Sequence, residues 1–190
     1  MDTASSQFDI FIRGKIINLV ALNKDIIRNS NWYNWFNDEE TTKYMQKHYF
    51  PNTIILQSQY FLNEIEGNDK KLQLGIVSKK DQIMIGIISL NNIDFINRKC
   101  ETSCIIGEKR YQDMKSYIEA YKLIIKHGFE TLNMNRISGG TIKKELEDIL
   151  CKYLGFKSEG ILRESVYKNG KYYDVYCHSI ISQDYQKNKK

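Results

Sequence analysis

Two rhythms of apolar residues run along this chain, one of strand type and one of helix type. The stretch Ile10–Leu22, IFIRGKIINLVAL, is rich in β-branched residues and predicts a strand. Beyond it the large apolar groups Ile26, Ile27, Trp32, Trp35 and Phe36 recur at helical intervals, with Ser30 and Asn31 placed to cap. Pro51 and Asn52-Thr53 mark the start of another helix, on which Ile54, Gln57, Phe61 and Ile65 follow at steps of three and four up to Gly67. Leu72–Ser78 and Ile83–Leu90 are apolar runs around KKDQ and predict a hairpin, and Lys99–Gly107 predicts a further strand. Met114, Ile118, Tyr121, Ile125 and Phe129 then return to helical spacing. A short strand at Asn135–Gly139 and a helix at Lys144–Leu154 follow. The chain closes with two strands, Phe156–Tyr167 and Lys171–Ile181, around Lys168-Asn169-Gly170; Asn-Gly between apolar runs is a strong hairpin signal. The order β α α β β β α β α β β predicts one α/β domain: a mixed, mostly antiparallel, twisted sheet with helices on both faces.

Composition narrows the class. At 190 residues the length suits one domain, read as 10–182, with a loose leader at 1–9 and a basic, solvated tail at 183–190. Of the net charge of +5, Lys187, Lys189 and Lys190 supply three, so the body is close to neutral; this argues against nucleic acid and leaves room for a small anionic ligand. No apolar run approaches the roughly 18 residues of a membrane span, and the start MDTASSQFDIF lacks the basic and apolar regions of a signal peptide. Cys100, Cys104, Cys151 and Cys177 form no metal-binding spacing, so no metal is expected; they read as reduced thiols of a cytoplasmic protein.

Three segments carry a family likeness: GIISLNNIDFINRKCETSCIIGEKRYQ at 86–112, HGFETLNMNRI at 127–137, and YLGFKSEGILRESVYKNGKYYDVYCHSII at 153–181. Together with the element order they resemble the GNAT superfamily of acyl-CoA-dependent N-acetyltransferases, in the branch of ribosomal-protein and nucleotide-sugar acetyltransferases. The resemblance spans about residues 10–182. It implies acetyl transfer from acetyl-CoA to a primary amine, with an amino sugar on a nucleotide carrier as the favoured acceptor and a protein N-terminus as the runner-up. It leaves a homodimer open. A GNAT-fold protein that has lost transfer and binds a partner is the competing reading.

The resemblance also assigns residues. In the family, the strand matching 99–107 splays from its neighbour and pairs with the pantetheine arm of the cofactor, which here implies Cys104, Ile105, Ile106 and Gly107. The next turn offers backbone N–H groups to the pyrophosphate at a helix N-terminus, implying Arg110, Tyr111, Gln112, Asp113, Met114, Lys115, Ser116 and Tyr117. The family pattern there is Arg/Gln-x-x-Gly-x-Gly/Ala; Arg110 matches, but Asp113 and Lys115 replace the two glycines. Asp113 is a good N-cap, so the helix either caps itself or meets the diphosphate with Arg110, Lys115 and its remaining N–H groups. Glu101 matches the family glutamate that draws the amine proton through a water; as plain sequence it is equally a solvated strand residue. The tyrosine that customarily protonates the departing thiolate is replaced by Cys151, which is either a proton donor or a small core residue, with Tyr111 and Tyr153 as substitutes. On the acceptor side Trp32, Trp35, Tyr173 and Asp174 match pocket segments, and each has a packing alternative.

Overall fold

The computed structural model describes residues 8–188, so residues 1–7 of the expected leader and the last two of the tail lie outside the described residues. Eight strands form one sheet in the order β1-β2-β3-β4-β5-β6-β8-β7. β1 (Ile10–Arg13), β2 (Ile17–Ala21), β3 (Leu72–Ser78), β4 (Met84–Asp94) and β5 (Lys99–Ile106) make an antiparallel meander. β6 (Arg136–Thr141) lies parallel to β5, and β8 (Lys171–Ile181) joins antiparallel to both β6 and β7 (Lys157–Lys168). The single strand predicted at 10–22 is thus a hairpin, turning at 14–16, where the carboxylate of Glu119 accepts from the N–H groups of Lys15 and Ile16.

The helical stretch after it is broken into α1 (Lys24–Asn29), α2 (Trp32–Trp35) and α3 (Glu39–Thr42). Short polar side chains break it by competing for backbone donors. Ser30 accepts from the Trp32 N–H at 3.4 Å between α1 and α2, and Asp38 from the Thr41 N–H at 2.7 Å at the start of α3. Asp38 also pairs with Lys109 at 2.7 Å, and these hydrogen bonds bring its carboxyl down to about 2. α4 (Ile54–Glu64) is capped by Thr53 as predicted, and α5 (Met114–Glu130) and α6 (Lys144–Leu154) follow the predicted ranges. The expected tail is instead helical through residue 188: α7 (Ser182–Asn188) buries Asp184, which pairs with Lys157 at 2.7 Å, while Tyr185 stacks on Phe129. Phe8, counted with the leader, is buried.

Strand alternation divides the core in two. One face, with Leu74, Ile76, Ile88 and Ile106, packs under α5 and α6 through Ile124, Ile125 and Leu150. The other, with Val20, Val77, Ile87 and Ile105, packs under α1, α2 and α4 through Ile27, Trp32, Trp35 and Phe61. The sheet therefore presents β5 with even-numbered side chains toward α5 and odd-numbered ones toward the α1–α4 face.

Candidate active site

β5 and β6 pair at only three positions, Lys99–Arg136, Cys100–Ile137 and Glu101–Ser138. β5 continues beside β4 as far as Ile106–Gly86, and β6 beside β8 as far as Thr141–Tyr176. The two strands diverge after the third pair, leaving a wedge between them. Three contacts show which main-chain groups face it. The Gly107 N–H donates to the Ile85 carbonyl on β4 at 2.9 Å. The Ile106 carbonyl accepts from the Gln112 side chain at 3.1 Å, and the Cys100 carbonyl from the Ser138 hydroxyl at 3.4 Å, both on the β6 side. By alternation, the backbone groups of Thr102, Cys104 and Ile106 turn into the wedge.

The wedge is a groove of about 680 Å³. Thr102–Ile106 form one wall; Gly140, Thr141, His178 and the α6 residues Leu146, Ile149 and Leu150 form the other; Tyr117 and Tyr121 of α5 complete it. Burial pushes the Cys104 thiol and the Tyr117 and Tyr121 hydroxyls up, so all three stay protonated. Burial lowers the His178 imidazole below its ordinary range, and the Thr102 Oγ1 has no hydrogen-bond partner among the described residues. At the mouth, α5 caps itself: one Asp113 carboxylate oxygen accepts from the Lys115 and Ser116 N–H groups at 2.7 and 3.0 Å, and the other from the Ser116 hydroxyl at 3.2 Å.

A second cavity, of about 500 Å³, opens on the opposite face of β5. Its floor holds a polar trio: Ser89 and Ser103 Oγ lie 2.8 Å apart, and Asn91 Nδ2 donates to them at 3.1 and 3.2 Å. Its walls come from the segment Met45–Asn52, with Gln57, Tyr60 and Gln73 behind. Met45, Gln46, Ser103, Cys104 and Ile105 line both cavities, so the two meet across one strand. Lys47 and His48 line the second cavity, and no carboxylate does among the described residues. His48 Nδ1 lies 3.3 Å from the Phe36 carbonyl, which can only accept, so a hydrogen bond between them is donated by Nδ1 and Nε2 is not engaged by it.

Of the cofactor residues expected from sequence, Cys104, Ile105, Ile106, Gln112, Asp113, Met114 and Tyr117 line the groove. Gly107, Arg110, Tyr111, Lys115 and Ser116 do not. Gly107 lies under Trp35, Tyr111 donates its hydroxyl to Asp81 in the β3–β4 turn, and Arg110 lies over the Tyr111 ring. The acceptor expectations are corrected. Trp32 and Trp35 are 0% and 2% exposed and belong to the core, because the short α2 turns both indoles onto the sheet. Tyr173 and Asp174 line neither cavity; Asp174 accepts from the Glu164 N–H at 2.8 Å, holding an irregularity in β7.

Neither of the two expected catalytic side chains is part of a cavity lining. Cys151 lines neither cavity, because the α6 face that meets the groove is Leu146, Ile149 and Leu150. Glu101 is exposed, beside the second cavity opposite Asn91 but outside its lining. Residues the sequence reading missed are Thr102, Tyr121, His178 and the 46–52 segment. Period-two alternation alone could have flagged Thr102, which shares the side of Cys104; the others required the tertiary arrangement.

A splayed pair of parallel strands beside a helix N-terminus, with cavities meeting from both faces, is the architecture of an acyl-CoA-dependent transferase. The chain belongs to the GNAT acetyltransferase family: the acetyltransferase (GNAT) domain model matches residues 20–177. It is an acyl-CoA-dependent N-acetyltransferase with acetyl-CoA as donor. Over 156 residues it is 29% identical to the uncharacterized N-acetyltransferase p20 of Bacillus licheniformis, covering 80% of this chain and 85% of that one. The fold superposes with a TM-score of 0.81 on the spermidine N-acetyltransferase of Vibrio cholerae solved with CoA and spermine, at 21% identity, covering 91% of this chain and 99% of that one.

Proposed function

We propose that the groove between β5 and β6 takes acetyl-CoA and that the second cavity takes a primary amine on a nucleotide-linked amino sugar. The donor end is supported by the free edge of β5: the main-chain groups of Thr102 and Cys104 can pair with the amides of an extended pantetheine arm as an added strand would. The bound donor supplies an activated acetyl thioester. Lining residues then have three tasks. Met45, Gln46 and Ser103–Ile105 line both cavities, so the amine and the thioester are brought together where the two cavities meet. His48 Nε2 accepts the amine proton. The hydroxyls of Tyr117 and Tyr121 line the groove as hydrogen-bond donors to the departing sulfur, which leaves as a thiolate and takes its proton from water, because burial makes both hydroxyls weaker acids than a thiol.

One observation carries the acceptor class: the second cavity offers hydroxyls, amides, aromatic rings, Lys47 and His48, and no carboxylate. A polycation would find no counter-charge in that lining among the described residues, with Glu101 beside it, whereas a sugar with an anionic diphosphate finds hydrogen-bond partners and positive charge. The test is thiol release from acetyl-CoA with UDP-glucosamine, spermidine and a peptide with a free N-terminus. UDP-glucosamine is expected to show the highest kcat/KM, by about tenfold or more, a difference of about 1.4 kcal/mol in transition-state binding. Preference for spermidine would refute the acceptor reading. His48→Gln is expected to lower kcat by about 10²-fold.

The second reading, a GNAT-fold protein that no longer transfers, is favoured by one feature, the Asp113 cap that occupies the α5 donors. Calorimetric titration with acetyl-CoA separates the two. Binding weaker than millimolar, together with no thiol release from any amine, would select the second reading.

A further inference from the structure

Lys168 is the last residue of β7, beside the Asn169-Gly170 turn, a position where a lysine ordinarily points to water. Here it is 4% exposed. Its ammonium donates to three main-chain carbonyls of one segment: those of Thr42, Met45 at 2.7 Å and Lys47 at 3.2 Å. An ammonium has three protons, and all three are placed. The neighbouring Tyr167 carbonyl accepts from the Tyr49 hydroxyl at 2.9 Å. The terminal hairpin therefore grips residues 42–49 at four points.

That segment does not hold its shape through regular structure. After Thr42 it has no helix or strand, and His48 has φ 68°, in the left-handed region that costs a residue with a Cβ. Yet Met45 and Gln46 line both cavities opposite β5, and Lys47, His48 and Tyr49 continue that wall around the second. A carbonyl cluster without its cation would leave three acceptors to repel one another and draw in water.

We infer that Lys168 is a positioning residue for the acceptor cavity, its ammonium acting as an internal ligand that shapes the 42–49 wall. The inference rests on reading the second cavity as the acceptor site; the latch itself does not. The three carbonyls make a receptor for one primary ammonium ion, and that property distinguishes the latch from ordinary packing.

The experiment compares Lys168→Ala, Lys168→Met and Lys168→Arg in the full chain. Hydrogen exchange across residues 42–50 is expected to rise by about tenfold or more in the Ala and Met variants, with protection in α5 and the sheet retained. In Lys168→Ala, excess ethylammonium chloride is expected to restore that protection; in Lys168→Met, whose side chain fills the space, it is not. Acetyl-CoA binding by calorimetry is expected to change by less than about threefold. With UDP-glucosamine, or whichever amine of the panel turns over fastest, KM is expected to rise by about tenfold while kcat stays within about threefold. Lys168→Arg is expected to recover part of both readouts.

Unchanged exchange in 42–50 in both truncations overturns the inference. So does global unfolding of both, which would make Lys168 a stability element, and so does raised exchange with KM unchanged. Absence of turnover by the natural chain with every amine refutes the acceptor reading instead, and the exchange and ammonium-rescue arms still decide the latch.

Discussion

Removing the Asp113 carboxylate separates two effects of opposite sign. In the natural chain it accepts from the Lys115 and Ser116 N–H groups at 2.7 and 3.0 Å and places a negative group at the N-terminus of a 17-residue helix. Replacing such a cap by alanine costs about 1 kcal/mol. Losing the charge at the positive end of the helix costs about 0.5 kcal/mol more. For a domain of this size the sum of about 1.5 kcal/mol lowers Tm by about 3–6 °C. Asp113→Asn keeps the acceptor and removes only the charge, so its Tm falls by about 1–2 °C. Ligand binding should move the other way. Two backbone donors are freed and a carboxylate is removed from the mouth of the groove, worth about 1–2 kcal/mol toward a diphosphate. Asp113→Ala should therefore bind acetyl-CoA about 5- to 30-fold more tightly while being less stable. The assay is calorimetric titration and scanning calorimetry on the same samples at fixed ionic strength. An alanine variant that loses stability and binds acetyl-CoA no more tightly would refute the reasoning, because the carboxylate would then not compete with an anion for the α5 donors.

Other outcomes follow from single contacts. A Cβ at Gly107 would fall 2.0 Å from Trp35 Cδ2, so Gly107→Ala should destabilise by about 1–3 kcal/mol, read from denaturant midpoints, and Trp35→Ala by about 3–5 kcal/mol. Glu159 is held down to about 2 by the Arg136 guanidinium and the Ser179 hydroxyl, from an ordinary 4.5. Its contribution is therefore full above pH 4.5 and is lost as pH falls from there toward 2. Because both partners are more than a third exposed, the effect is about 1 kcal/mol, and Glu159→Gln should flatten that part of the acid stability curve. Cys151→Ser and Glu101→Gln should each leave kcat/KM within about threefold, since neither side chain lines a cavity; a loss of about 10²-fold in either would restore the role that the family likeness implied.

Features set by neighbours in sequence were legible before the fold was known. The terminal hairpin follows from Asn169-Gly170, both found at positive φ as the tight turn requires. The α4 start follows from Thr53, and the self-capped α5 from Asp113, because a cap bonds the N–H groups two or three residues on. The alternation in β5 likewise showed which of its residues share a side. The order from the fourth helix to the last strand and the two-faced sheet followed from these local preferences and the periods of two and 3.6, whereas the opening hairpin, the broken helices after it and the last helix did not.

What the sequence left open depends on partners far along the chain. Trp32 and Trp35 had both a pocket and a core reading until α2 was seen to lie flat on the sheet, and whether Glu101 and Cys151 line a cavity depended on elements distant in sequence. Lys168 gave no sign that it is buried, since its three acceptors lie more than 120 residues away. The groove itself exists because β5 and β6, joined through α5, pair at three positions and then part. Local propensity determines which segments become strands; only tertiary packing decides where two of them stop pairing, and that gap is where the chemistry has room to occur.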